Sequence, residues 1–121
     1  MTDSFIRLLR DGDPATGMQP SDLTAPDAFT GDDRTELNHT FFATSDESVT
    51  TGVWECAPCR EEIDAYPVHE MMAVISGSVT LTAPDGRAET FTAGDAFFVP
   101  KGTRCTWEIT EKLRKFYMIV E

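Results

Sequence analysis

Positive charge is scarce in this chain. Its 121 residues hold ten Lys and Arg against 21 Asp and Glu, for a formal net charge of −11. Phosphate backbones and anionic lipid repel so acidic a chain, which argues against nucleic acid and against a membrane surface as partners. No apolar stretch approaches the ~18 residues of a spanning helix. The opening MTDSFIRLLRDGDP has no apolar core of signal-peptide length before its charges resume, so export is not expected and a cytoplasmic location is. The length allows one domain and no second core.

Cysteine is also rare, with Cys56, Cys59 and Cys105 alone. An odd count argues against a closed disulfide framework. Cys56-Ala57-Pro58-Cys59 has redox spacing, but the segment Arg60 to Pro67 is a poor start for the helix that would activate the first thiol. A zinc site would need a second pair of ligands at workable spacing. The plain reading is a buried or half-buried Cys56 ending a strand, with Cys59 in the turn.

The acids are unevenly spread: residues 1–48 carry ten acids and three bases, and residues 49–121 eleven and seven. The first stretch also holds Pro14, Pro20, Pro26 and several Asp-led turns. Residues 1–36 read as an arm, with a short helix or strand near Phe5–Leu9 and then extended chain. Its isolated apolar residues, among them Phe5, Ile6, Leu8 and Leu23, suggest that it lies on its own barrel or on a partner subunit.

Residues 37–121 read as sheet. The chain has sixteen Thr, eight Phe and many Val and Ile, residue types that suit a pleated surface. Candidate strands are 37–44, 48–55, 69–75, 78–83, 87–92, 96–99, 105–110 and 112–120. Turn chemistry separates them at Ser76-Gly77, Pro84-Asp85-Gly86, Ala93-Gly94-Asp95 and Pro100-Lys101-Gly102. Many short strands at such spacing mean an all-β sandwich or barrel. In 69–75 the face of Glu70, Met72 and Val74 and the face of His69, Met71, Ala73 and Ile75 are both largely apolar, so cover on both sides is expected. A carboxylate on such a strand is costly to bury unless it is paired.

The order of these features carries a resemblance. Glu70 is followed by six residues and Gly77; Gly94 is followed by five residues, Pro100 and then Gly102. With Gly52-Val53-Trp54-Glu55, Tyr66, Asp85-Gly86, Trp107-Glu108, Arg114-Lys115 and Tyr117, residues 49–120 resemble the cupin superfamily (RmlC-like). Within it they resemble a small single-domain family with relatives among ureidoglycine aminohydrolase and the accessory cupin of ethanolamine utilisation. The resemblance implies a single-domain cupin jelly-roll β-barrel, here with an N-terminal arm, and pairing into a homodimer through sheet edges and arms.

It also implies a divalent metal held by two His before the Glu and a third after the Pro-x-Gly. Here the first two positions fall on Asp64 and Tyr66 or on Ile63 and Ala65, and the third on Cys105. Only Glu70 remains of the four ligands, so no standard metal site and no cofactor is expected. A divalent metal on a non-standard set with Cys105 and Asp64 is the alternative.

By motif position the cavity wall comprises Trp54, Tyr66, Met72, Trp107 and Lys115 around Glu70. Glu70 is the candidate general acid or base, and Cys105 a candidate nucleophile if a cation such as Lys115 or Arg104 activates it. An inward-facing Lys115 would pair with Glu70 or Glu108. The expected function is binding of a small molecule in the barrel with Glu70 as the key polar group. A non-catalytic structural or regulatory assembly subunit, or a metal enzyme with a non-standard ligand set, is the alternative.

Overall fold

The computed structural model describes residues 4–121. Among these residues the fold is built from strands, with a single 3-10 turn at Pro26–Ala28. The strands are β1 (Gln19–Pro20), β2 (Glu36–Ala43), β3 (Val49–Cys56), β4 (Cys59–Ile63), β5 (His69–Thr82), β6 (Ala88–Thr92), β7 (Ala96–Val99) and β8 (Cys105–Val120). No helix among the described residues is long and apolar enough to cross a membrane.

β5 and β8 form the spine. They pair antiparallel along their whole length, from His69↔Val120 to Thr82↔Thr106. The register shifts between Val74 and Val79, and there both strands bend. The bend divides one continuous sheet into two layers. The first runs β1-β2-β3, the second half of β8, the first half of β5, and β7. The second runs β4, the first half of β8, the second half of β5, and β6. Alternate residues of both layers face each other, which is the jelly-roll arrangement. Met72, Val79, Ile109 and Leu113 fill the space between and are almost fully buried.

Four expectations are corrected. Strands 69–75 and 78–83 are one strand, and so are 105–110 and 112–120. Ser76-Gly77 reads as a turn in sequence, but Gly77 (φ +82°) marks a bulge at the bend, where β5 passes close against the Lys112 carbonyl. Cys59 is not in a turn; it opens β4, and Cys56 and Cys59 are both fully buried. Strand 69–75 is covered on one face only: Glu70, Met72 and Val74 are buried, while Met71 on the other face is exposed.

The segment Phe5–Leu9 is neither helix nor strand. Phe5, Ile6, Leu8 and Leu23 stay exposed, whereas Phe29 packs on the core and bridges Cys59. The first three residues of the expected arm lie outside the described residues. Further along, the arm is tied to the chain's own barrel. Arg114 donates to the Arg10 carbonyl and the Asp11 carboxylate, and the Ser21 N–H donates to the Glu36 carbonyl.

Gly77→Ala forces a side chain into positive φ and onto the Lys112 carbonyl oxygen. It should cost about 2 kcal/mol or more, read as a lower urea midpoint with an unchanged slope.

Candidate functional site

A buried ion pair lies at the centre of the first layer. Lys115 on β8 and Glu70 on β5 both point inward, and both are nearly inaccessible. The Lys115 Nζ donates to Glu70 Oε2 at 2.6 Å and to Met72 Sδ at 2.9 Å. It also lies 4.8 Å from the Trp54 ring centroid and 5.0 Å from that of Trp107, within reach of a cation–π attraction. The other Glu70 oxygen, Oε1, accepts the Tyr66 hydroxyl at 2.7 Å. Burial first, and then the Glu70 charge, push the Tyr66 hydroxyl far above its ordinary pKa, so it stays protonated and donates. The structure therefore brings Trp54, Tyr66, Met72, Trp107 and Lys115 together around Glu70. Of the two partners open to Lys115 in sequence, it selects Glu70.

Local sequence explains each placement. Lys115 and Trp107 share the inward parity of β8, as Glu70 and Met72 share that of β5. Tyr66 is outside any strand and is fixed by its backbone. Its N–H donates to the Thr103 carbonyl and its carbonyl accepts from the Gly102 N–H, each at 2.8 Å. The Pro100-Lys101-Gly102 turn thereby holds the tyrosine against the glutamate.

A second buried carboxylate, Glu36, was not legible in the sequence. It is the first residue of β2 and is 5% exposed. It accepts four hydrogen bonds: from the Ser21 hydroxyl (2.6 Å), the Leu23 N–H (3.0 Å), the Thr24 N–H (2.8 Å) and the Trp54 indole (3.0 Å). Burial alone would raise its pKa, but the donors from Ser21, Thr24 and Trp54 outweigh it and hold the carboxyl below the ordinary value. Glu36 thus fixes the indole that forms one wall around Lys115. Tyr117 was also missed as a site residue, although its inward parity with Lys115 could have found it. Its hydroxyl donates to Asn38 Oδ1 at 2.7 Å.

The pair borders a cavity of about 260 Å³, whose wall also includes Leu23, Asn38, Thr40, Tyr117 and Ile119. A wider opening of about 610 Å³ adjoins it, sharing Leu23, Thr50, Glu70 and Ile119 and adding Tyr66. Cys105 lies elsewhere. It lines a cavity of about 550 Å³ with Asp64 and Arg104, and another of about 290 Å³ with Phe91 and Phe97. Burial pushes the Cys105 thiol up, the opposite of activation. The ammonium of Lys115 is committed to Glu70 and Met72 instead.

The donor set does not fit a divalent metal. Among the described residues no three His, Cys, Asp or Glu side chains are grouped to hold one. Each Glu70 oxygen already accepts a proton donor, one of them an ammonium that would repel a dication. His69 faces away from Glu70, and its Nδ1 accepts from the Lys101 N–H. His39 stands on β2 beside Phe41.

Fold and site together define a cupin domain in which a lysine–glutamate pair stands where metal-binding cupins gather ligands. The family model for the EutQ-like cupin domain matches residues 43–117, and the chain belongs to that family. Among solved structures, the chain is similar to a protein of unknown function from Pseudomonas syringae pv. tomato. The identity is 28% and the TM-score 0.77, over 90% of this chain and 46% of that one. The chain therefore spans about half the length of that relative. It shares its fold with the EutQ protein of Clostridium difficile (22% identity, TM-score 0.59, 72% of this chain and 68% of that one). It shares it also with a Salmonella typhimurium structure bearing the name ethanolamine utilization protein Q (19%, 0.61, 86% and 97%). No curated protein matches the sequence.

Two tests follow from this geometry. Glu70→Gln and Lys115→Met each strand one buried charge and should each cost about 3–5 kcal/mol, whereas the double variant Glu70→Leu/Lys115→Met should recover most of that loss. Equal losses in the single and double variants in urea denaturation would contradict the pairing. The depressed Glu36 carboxyl stabilises the fold fully above its unfolded pKa, near the ordinary 4.5, and loses that contribution as pH falls through the lower folded value. Below about pH 4.5 the stability of wild type should therefore fall more steeply than that of Glu36→Gln. Parallel pH profiles would refute it.

Proposed function

We propose that this domain binds a compact polar molecule in the cavity beside Glu70, with Lys115 completing the polar end, Trp54, Tyr117 and Ile119 in its wall, and Tyr66, Met72 and Trp107 packed around the pair behind it. The observation that carries this reading is a fully buried charged pair at the edge of a cavity that is otherwise largely apolar. Apolar walls with a few convergent polar groups are what small-molecule sites share. The volume of about 260 Å³ falls below the ~300–1,000 Å³ of drug-sized sites, so the ligand is small.

Hydrogen-bond capacity narrows its chemistry. Lys115 has three N–H donors and spends two of them on Glu70 and Met72. Glu70 retains acceptor capacity beyond Tyr66 and Lys115. A ligand with an acceptor and a donor on neighbouring atoms satisfies both groups at once, as amino acids, hydroxy acids and amino alcohols do. Glu70 would then accept from such a ligand's donor, while the Tyr66 hydroxyl holds its other oxygen.

The test is titration of the full chain with glycine, glycolate, lactate and 2-aminoethanol, followed by fluorescence of Trp54 and Trp107. The last probe is included because a fold relative is named for ethanolamine utilization. At least one should perturb the signal saturably, and Glu70→Gln and Lys115→Met should weaken it by about tenfold or more, the loss of at least one charge-assisted hydrogen bond. A folded Glu70→Gln variant that binds as wild type does would sink the proposal.

A further inference from the structure

Three lysines occur in the chain. Lys101 and Lys112 are exposed, whereas Lys115 is 4% exposed and yet borders the cavity of about 260 Å³. Its burial with Glu70 adds little to the fold, since an apolar pair of similar volume is often as stable or more so. Stability therefore does not account for a lysine at this wall. An amine beside a base, in apolar surroundings and facing a cavity, is the arrangement of a lysine nucleophile. The base here is Glu70, whose Oε2 lies 2.6 Å from the Lys115 Nζ. The other carboxylate oxygen is taken by the Tyr66 hydroxyl at 2.7 Å, which leaves Oε2 to exchange protons with the amine.

We propose that Lys115 captures a small neutral aldehyde as an imine, with Glu70 carrying the proton. The proposal rests on the ligand-binding reading above and identifies the ligand's acceptor as a carbonyl oxygen. Glu70 Oε2 takes one proton from the ammonium. The freed Nζ lone pair bonds to the carbonyl carbon as the C=O π pair moves to oxygen, and a proton passes from nitrogen to that oxygen. Glu70 then gives its proton to the new hydroxyl, which leaves as water while the nitrogen lone pair forms C=N. The net change converts ammonium and aldehyde to iminium and water, with Glu70 restored as a carboxylate and no oxidant or reductant consumed.

The surroundings suit both ends of this sequence. Apolar walls favour the neutral amine and carboxyl of the first step over ions. The iminium carries the same single positive charge as the ammonium. The Glu70 carboxylate and the rings of Trp54 and Trp107, 4.8 and 5.0 Å from Nζ, therefore hold the product as they hold the resting lysine.

Size and charge select the substrate class. A cavity of about 260 Å³ holds only a short molecule. The net charge of −11 repels oxo acids, and their carboxylate would be buried beside Glu70 without a partner. A 2-hydroxyaldehyde instead places a hydroxyl donor next to the carbonyl, within the acceptor capacity that Glu70 retains.

The test treats the full chain with glycolaldehyde and sodium cyanoborohydride, which reduces an imine to a stable secondary amine bearing a hydroxyethyl group. Peptide mass spectrometry then follows each of the three lysines. Exposure alone would label Lys101 and Lys112 first and Lys115 last. The proposal reverses that order, with Lys115 labelled about tenfold faster or more, and in the urea-unfolded chain the three should label alike. Lys115 unlabelled in the native chain while the others react, or a preference for Lys115 that survives unfolding, would overturn it. Glyoxylate should label Lys115 severalfold less than glycolaldehyde; the opposite order overturns the neutral class.

A Glu70→Gln variant with native Trp54 and Trp107 fluorescence should label Lys115 about tenfold more slowly or worse, and labelling at the wild-type rate would remove Glu70 from the mechanism. The wild-type comparison stands whether or not that variant folds. Saturable binding of glycolate or 2-aminoethanol without labelling of Lys115 refutes the imine alone. Loss of both refutes the binding reading as well.

Discussion

The structure depends on a contact between Lys115 and Glu70. Taking an ammonium and a carboxylate out of water costs several kcal/mol per ion, and only close geometry with further hydrogen bonds offsets it. Each surrounding feature meets part of that demand. In the β5–β8 register Glu70 is opposite Ile119 and Lys115 opposite Val74, so the lysine side chain reaches along the sheet past Met72 to the carboxylate. The Tyr66 hydroxyl serves the second carboxylate oxygen, and the Met72 sulfur and two indole rings surround the ammonium. One indole is itself held by Glu36, which also binds the backbone of the arm. Arm, strand β2, tryptophan, lysine and glutamate thus form one chain of dependence through the barrel.

Within the EutQ-like cupin family, this arrangement separates fold from chemistry. The jelly roll offers an interior where side chains from several strands converge, and the residues placed there decide what the interior can do. Here the positions that the cupin motifs give to imidazoles fall on Asp64 and Tyr66 or on Ile63 and Ala65, and on Cys105, and the carboxylate of Glu70 faces a lysine. The electrostatics of the site are those of an ion pair of no net charge in a largely apolar wall. Cys105, which motif position alone would join to Glu70, opens into other cavities.

One strand serves two environments. Along β5, Glu70, Met72 and Val74 face the interior, and His69, Met71 and Ala73 face outward. The two-residue period of a strand makes this possible, because adjacent side chains never share a face. It also explains how two adjacent residues can differ so much in surroundings. Glu70 is a buried carboxylate, and Met71 is an exposed apolar side chain. Most of the chain's excess of acid lies ahead of residue 49.

Period-two patterns, turn residues and motif order were local, and they sufficed for the all-β jelly roll, while motif position alone grouped Met72, Trp107 and Lys115 with Glu70. The rest required strands to meet. Two long bent strands read as four short ones, because a bulge with Ser76-Gly77 has the composition of a turn and only the facing Lys112 carbonyl distinguishes them. β4 was missed because its CREEI sequence is half exposed and gains its strand character from pairing with β8. Glu36 was one acid among ten in its stretch, and three of its four donors are ordinary backbone or hydroxyl groups that any segment could supply. The sequence alone determined which residues could face inward. Tertiary structure decided which of them touch, because contact between strands distant in the chain depends on register and bend.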